Sequence, residues 1–166
     1  MTRPLSPVVI LVHLVATWFM VGLIWTIHFV HYPLFAEVGD ATYVAFQAAH
    51  VDRIGKLLLL PWATEGITTA MILLVAVTHR DRRLLTPAVI GALAMGVVLV
   101  VSGFWSAPAH GELADGFDSA VHDRLMTADL VRTLAWTVRG GVAVWITVLV
   151  WRSMTRPADR PTLTAN

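Results

Sequence analysis

The chain has 166 residues, of which 57% are hydrophobic and 14% charged, with a net charge of +1 and no cysteine. A soluble domain carries about a quarter charged residues, so this composition, with a mean hydropathy of +0.70, excludes an ordinary water-soluble globule. The missing cysteines remove disulfide exchange, thiolate metal sites and c-type haem.

Four apolar runs dominate, roughly 7–30, 57–78, 84–105 and 130–151. Each exceeds the ~20 helical residues that cross a hydrocarbon core of ~30 Å. No alternating strand pattern suggests an outer-membrane barrel. The fold class read from these runs is all-α, a four-helix transmembrane bundle forming one domain over 1–152, with short amphipathic helices in the first and third connections. The segment 153–166, with two prolines and no periodicity, is predicted to be a disordered tail. The first run is too long for the apolar part of a signal peptide and is followed by no small-x-small cleavage site, so it reads as an uncleaved span.

Within the first span, Trp18, Val21, Trp25, His28 and Tyr32 fall at helical spacing, with His31 three residues beyond His28. His13 reads as a hydrogen-bonded packing residue. In the first connection, Asp40 is placed to cap a short amphipathic helix carrying Tyr43, Phe46, His50 and Ile54, and Gly55 and Pro61 permit a bend into the second span. Glu65 is the only acid in the apolar part of any span. The turn from His79 to Arg83 is charged and solvated. Gly91, Gly96, Gly140 and Gly141 suit close helix packing. Pro108 is predicted to end the third span, after which Phe117, Val121 and Leu125 repeat every four residues and lead into the fourth. There His122, Leu125, Asp129, Arg132, Trp136 and Arg139 follow a 3-4-3-4-3 spacing along one face. Asp118–His122 and Asp129–Arg132 are placed to pair. A guanidinium as deep as Arg139 needs a partner, and Glu65 is the expected one. That pair either holds two helices in register or serves the function.

Orientation follows the basic residues. Arg3, Arg80, Arg82, Arg83, Arg152, Arg156 and Arg160 lie at the termini and in the second connection, against Arg53, Lys56 and Arg124 in the other two. Both termini are therefore expected in the cytoplasm, and with the basic residues spent on topology no nucleic-acid partner is expected. His31, His50, His110 and His122 then share the outer side. Imidazoles with a nearby carboxylate suit copper, zinc or iron, and these four form the candidate metal set, with copper or iron the expected metal. The competing reading has them pairing with Asp52, Asp118 or Asp123, capping helices or handling protons. One intramembrane acid does not support a four-glutamate di-iron site. The spans lack facing histidines for a chain of haems, and no phosphate loop, nucleophile elbow or HExxH is present. Trp25, Tyr32 and Trp105 are candidates to line an apolar pocket, or else belong to the interfacial aromatic belt. Glu65, Arg132 and Arg139 are the candidate catalytic groups, handling protons or orienting a polar group.

The segments Gly22–Phe35 (GLIWTIHFVHYPLF), Pro61–Glu65 (PWATE) and the series Pro108, His110, Gly116, His122, Arg132 and Trp136 resemble a group of small bacterial four-helix membrane proteins, themselves distantly similar to anthrone-oxygenase-like membrane proteins. The resemblance covers most of 8–151. It implies a membrane oxidoreductase of the bacterial cytoplasmic membrane, acting on a hydrophobic small molecule at His31, His50, Glu65, His110, His122, Arg132 and Arg139. His28 stands where a less basic residue is expected. The alternative is a non-catalytic binder, sensor or assembly module using the same pocket, and a homo-oligomer is left open.

Overall fold

The computed structural model describes residues 5–155. Helix α1 (Pro7–Thr26) starts on a proline, whose missing N–H is unneeded in a first turn, and continues through a π turn at Ile27–His31 and a 3₁₀ turn at Pro33–Glu37. Helix α2 (Asp40–Thr78) is unbroken for 39 residues, about 58 Å at 1.5 Å per residue. Helix α3 (Arg82–Val101) is capped by Asp81, whose carboxylate accepts from the Arg83 and Leu84 amides. It leads through a π turn (Ser102–Ser106) into α4 (Ala107–Glu112) and a 3₁₀ turn at Leu113–Asp115. Gly116, with φ +149°, turns the chain, and α5 (Ser119–Thr155) closes the bundle. Among the described residues there is no strand. Four helical units are long and apolar enough to cross a membrane.

Three expectations are corrected here. The first connection holds no separate amphipathic helix, because its predicted residues form the start of α2, which runs on through Gly55 and Pro61. Gly39, not Asp40, is the cap residue, and Asp40 sits in the first turn, where its charge suits the helix dipole. Pro108 does not end the third unit. It lies near the start of α4, directly after a π turn, and the helical course reaches Asp115. The predicted unbroken entry into the fourth span is present. The α5 helix still includes Ser153–Thr155, and the rest of the predicted tail lies outside the described residues.

Both π turns have the same local cause. Pro33 and Pro108 each follow a π segment by two residues. A proline ring in a helix clashes with the carbonyl four residues earlier, here Phe29 and Phe104, each the middle residue of its π segment. Widening that turn to i→i−5 bonding relieves the clash and rotates every later residue around the helix axis. The amide of Tyr32 donates to the Ile27 carbonyl at 2.9 Å, and that of Ala107 to Ser102.

Three buried apolar clusters follow one another along the bundle. One is built on Ile10, Ile72, Ala76 and Ile146, the next on Met20, Ile24, Val98 and Trp136, and the last on Phe35, Tyr43, Leu113 and Leu125. Large apolar side chains such as Leu11, Leu60, Ile67, Leu93 and Leu134 are exposed on the outside, a surface that suits lipid and not water. Gly140 and Gly91 make close approach possible. A Cβ on Gly140 would stand 3.1 Å from Val21 Cγ2, and one on Gly91 3.2 Å from Val142 Cγ1. Gly96 and Gly141 meet nothing within 4 Å.

Candidate functional site

The buried polar side chains form two layers. In the first, Glu65 is fully buried and accepts from Arg139 Nη2 and from the Thr17 hydroxyl. Arg139 also donates to the Gly91 carbonyl at 2.6 Å and to Thr69 at 3.0 Å, and lies over the Trp136 ring at 5.2 Å. His13 completes this layer, with Nδ1 2.9 Å from Thr68 Oγ1 and 3.8 Å from Glu65 Oε2. The expected Glu65–Arg139 pair therefore forms. His13 is buried and hydrogen-bonded as expected, but its place beside the ion pair was not foreseen, because Thr17 and Thr68 gave no charge signal.

The second layer is organised by Tyr32. Gln47 Nε2 lies 3.2 Å from the His110 carbonyl and 3.0 Å from His110 Nδ1. A carbonyl only accepts, so the amide NH₂ faces it, His110 Nδ1 accepts the second proton, and the ring's own proton sits on Nε2. That Nε2–H donates to the Tyr32 hydroxyl at 2.9 Å. Arg132 Nη2 donates to the same oxygen at 3.3 Å and to Asp129 Oδ1 at 2.6 Å. Asp129 is held on its other oxygen by His28 at 3.1 Å. With two donors already on its oxygen, Tyr32 keeps its phenolic proton free of any partner among the described residues. The Tyr32 carbonyl is fixed as well, accepting from His122 Nε2 at 2.9 Å and from the Phe35 amide at 3.0 Å.

Beneath this layer lies a cavity of about 140 Å³. Its apolar walls include Met20, Ile24, Leu58 and Trp136, and its polar lining is Tyr32, Trp62, Ser102, Ser106, His110 and Arg132. Four of these carry a buried polar atom without a partner: Trp62 Nε1, Ser102 Oγ, Ser106 Oγ and Arg132 Nε. Unpaired buried groups cost about 1–3 kcal/mol each, so such a concentration points to an occupant. Both π turns feed it, the first delivering Ile27 and Tyr32, the second Ser102, Ser106 and Ala107.

The four candidate metal histidines do gather, but around a phenyl ring. Phe35 is fully buried, and its ring centroid lies 5.4 Å from His31, 5.0 Å from His50, 6.3 Å from His110 and 6.2 Å from His122. His31 Nε2 and His50 Nδ1 bond each other at 2.8 Å. Among the described residues no three His, Cys, Asp or Glu side chains are grouped to hold a metal ion. The residues thus do not fit the expected copper or iron, because the ring of Phe35 stands between the four imidazoles and no three of them converge on a common point, although His50 Nε2 has no partner among the described residues. His28 and His31 diverge, one to Asp129 and the other to His50, since both lie in the π turn, whose wider winding breaks the α-helical register. The expected Asp118–His122 pair is absent: Asp118 Oδ1 instead accepts from the Val121 amide at 2.9 Å and caps α5.

Of the candidate pocket aromatics only Tyr32 lines the cavity. Trp25 donates to Thr137 at 3.1 Å and stacks on Phe29, and Trp105 is 57% exposed on the outer face. Glu65 and Arg139 belong to the other layer, Arg139 standing seven residues, or about 10 Å, beyond Arg132. Trp62, Ser102, Ser106 and Gln47 were not foreseen, and Ser102 and Ser106 in an apolar run are the only hint the sequence offered. Compared with protein-family models, curated proteins and solved structures, the chain matches none.

Proposed function

We propose that this chain is a multi-pass membrane protein that binds a hydrophobic small molecule by a neutral carbonyl group, presenting to it the free proton of Tyr32. The observation that carries the reading is the set of unpartnered donors at the wall of an otherwise apolar cavity. Tyr32, Trp62 and Arg132 all offer N–H or O–H, so the complementary group is an acceptor. The Arg132 charge is already matched by Asp129, and a carboxylate would bury a second, uncompensated anion at high cost. A neutral oxygen fits better. A cavity of ~150 Å³ accommodates a benzene ring, so the bound part is about one ring.

The arginine distribution supports both termini in the cytoplasm, and four crossings would return the chain to the side on which it began. The distant anthrone-oxygenase resemblance supports a lipid-soluble ligand and a bacterial cytoplasmic membrane. No step is assigned to a metal, because the donor set does not fit one. Tyr32, Arg132 and His110 act here by binding and orienting the carbonyl and holding a proton at its oxygen.

Acetophenone, one ring with one carbonyl, is the simplest probe. It is expected to bind the purified protein in lipid nanodiscs with quenching of tryptophan fluorescence. Loss of one hydrogen bond in Tyr32→Phe is expected to weaken binding about tenfold, the equivalent of ~1.4 kcal/mol, as measured by titration calorimetry. No binding to the wild type would overturn the reading, since the cavity would then hold only water. Copper, iron or zinc recovered in stoichiometric amount and lost in His110→Ala would overturn it in favour of the metal oxidoreductase.

A further inference from the structure

We infer that the molecule held at Tyr32 carries a hydrocarbon chain, which leaves the cavity between α1 and α2 and lies in the apolar groove on their lipid side. This rests on the reading of the cavity proposed above. A cavity of about 140 Å³ has room for one ring, and the rest of a lipid-soluble molecule must lie elsewhere. The α1 and α5 walls, including Met20, Ile24, Arg132 and Trp136, are buried. The α2 wall is different: between His50 and Glu65 that helix has no buried residue. Its cavity residues there, Ile54, Leu58 and Trp62, are only half-buried.

The other side of the same turns forms a groove of about 740 Å³, lined among others by Val12, Val15, Ala16, Phe19, Leu60 and Pro61. Groove and cavity use adjacent residues on both helices: Phe19 and Met20 on α1, Leu57 and Leu58, then Pro61 and Trp62, on α2. Pro61 supplies no N–H to the Leu57 carbonyl, so this stretch of α2 is the weakest part of the wall. A side-chain movement of Leu58 or Trp62 joins the two spaces. From Leu11 to Phe19 the groove follows eight residues of α1, about 12 Å, the reach of an octyl chain. Lys56 at its outer end is paired with Asp52 at 2.7 Å, which leaves the groove itself apolar and suited to a chain without charge.

The test uses acetophenone bearing a para-octyl chain that ends in a diazirine. The probe is photolysed on the wild-type protein in nanodiscs and the labelled residues are mapped by mass spectrometry. Labels are expected on Val12, Val15, Ala16 or Leu60, and are expected to fall about tenfold when unlabelled acetophenone is added at ten times its Kd. Ala16→Trp, which fills the groove, is expected to abolish them while acetophenone itself still binds. Leu60→Trp, at a site 75% exposed, gives the same test should the first variant not fold. Labels spread equally over the lipid faces of α3 and α5 would place the chain in bulk lipid and overturn the inference. So would unchanged labelling in both tryptophan variants, or a change in their oligomeric mass with labelling intact, which would assign the groove to a second copy. If acetophenone does not bind at all, the parent reading fails. If it binds and the chain label scatters, only this inference fails.

Discussion

Replacing Glu65 by alanine is expected to destabilise the protein by about 3–5 kcal/mol, the cost of leaving a buried charge without its partner. Arg139 is 2% exposed and Glu65 fully buried, so neither water nor lipid headgroups can take the place of the missing carboxylate. The remaining contacts of Arg139, the Gly91 carbonyl and the Thr69 hydroxyl, are neutral and do not balance the guanidinium. Arg139→Leu alone is expected to cost a similar amount, by stranding Glu65 against Thr17 and His13. The double variant Glu65→Leu with Arg139→Leu removes both charges and is expected to regain most of the loss, because a buried pair is often no better than well-packed apolar side chains. Equilibrium unfolding in mixed detergent measures all three. Recovery in the double variant, with acetophenone binding intact, assigns this layer to structure. Recovery of stability with loss of binding would assign it to function.

The second large effect is expected at Arg132. A single nitrogen, Nη2, bonds both Asp129 and the Tyr32 hydroxyl, and the rigid planar guanidinium fixes where that nitrogen sits. Arg132→Met leaves the fully buried Asp129 with only His28, and a loss of about 3–5 kcal/mol is expected. Arg132→Lys separates charge from geometry. The ammonium can stay on Asp129 and so preserve most of the stability, but its flexible stem does not fix the nitrogen where Nη2 also reaches Tyr32. Calorimetry is therefore expected to show that the Arg132→Lys protein folds and binds acetophenone at least as poorly as Tyr32→Phe. Equal binding by Arg132→Lys and wild type would show that Arg132 only neutralises Asp129 and does not build the site.

Much of the architecture was legible because bilayer thickness constrains sequence strongly. Four long apolar runs in a chain with 14% charged residues leave little choice but helices. The 3-4-3-4-3 face of α5 was equally plain, and both ion pairs predicted on it, Asp129–Arg132 and Glu65–Arg139, are present. Other features were hidden for identifiable reasons. Pro108 looked like a helix stop, since proline usually is one, yet the preceding turn widens and the helix continues. The π turn at Ile27–His31 breaks the 3.6-residue register on which the His28–His31 pairing relied. The histidines suggested a metal because composition cannot show what stands between them, and Phe35, an unremarked apolar residue, fills that space. Ser102, Ser106 and Trp62 looked like ordinary span residues and became significant only as unpartnered donors around a cavity.

Isotope-edited infrared spectroscopy of bound acetophenone, labelled with ¹³C at its carbonyl, tests the Tyr32 site most directly. A hydrogen bond from Tyr32 weakens the C=O bond, so the wild type is expected to show the carbonyl band below its position in lipid, and Tyr32→Phe to return it most of the way. A band at the lipid position in the wild type, or the same lowered band in Tyr32→Phe, would contradict the assignment of the free phenolic proton to the ligand.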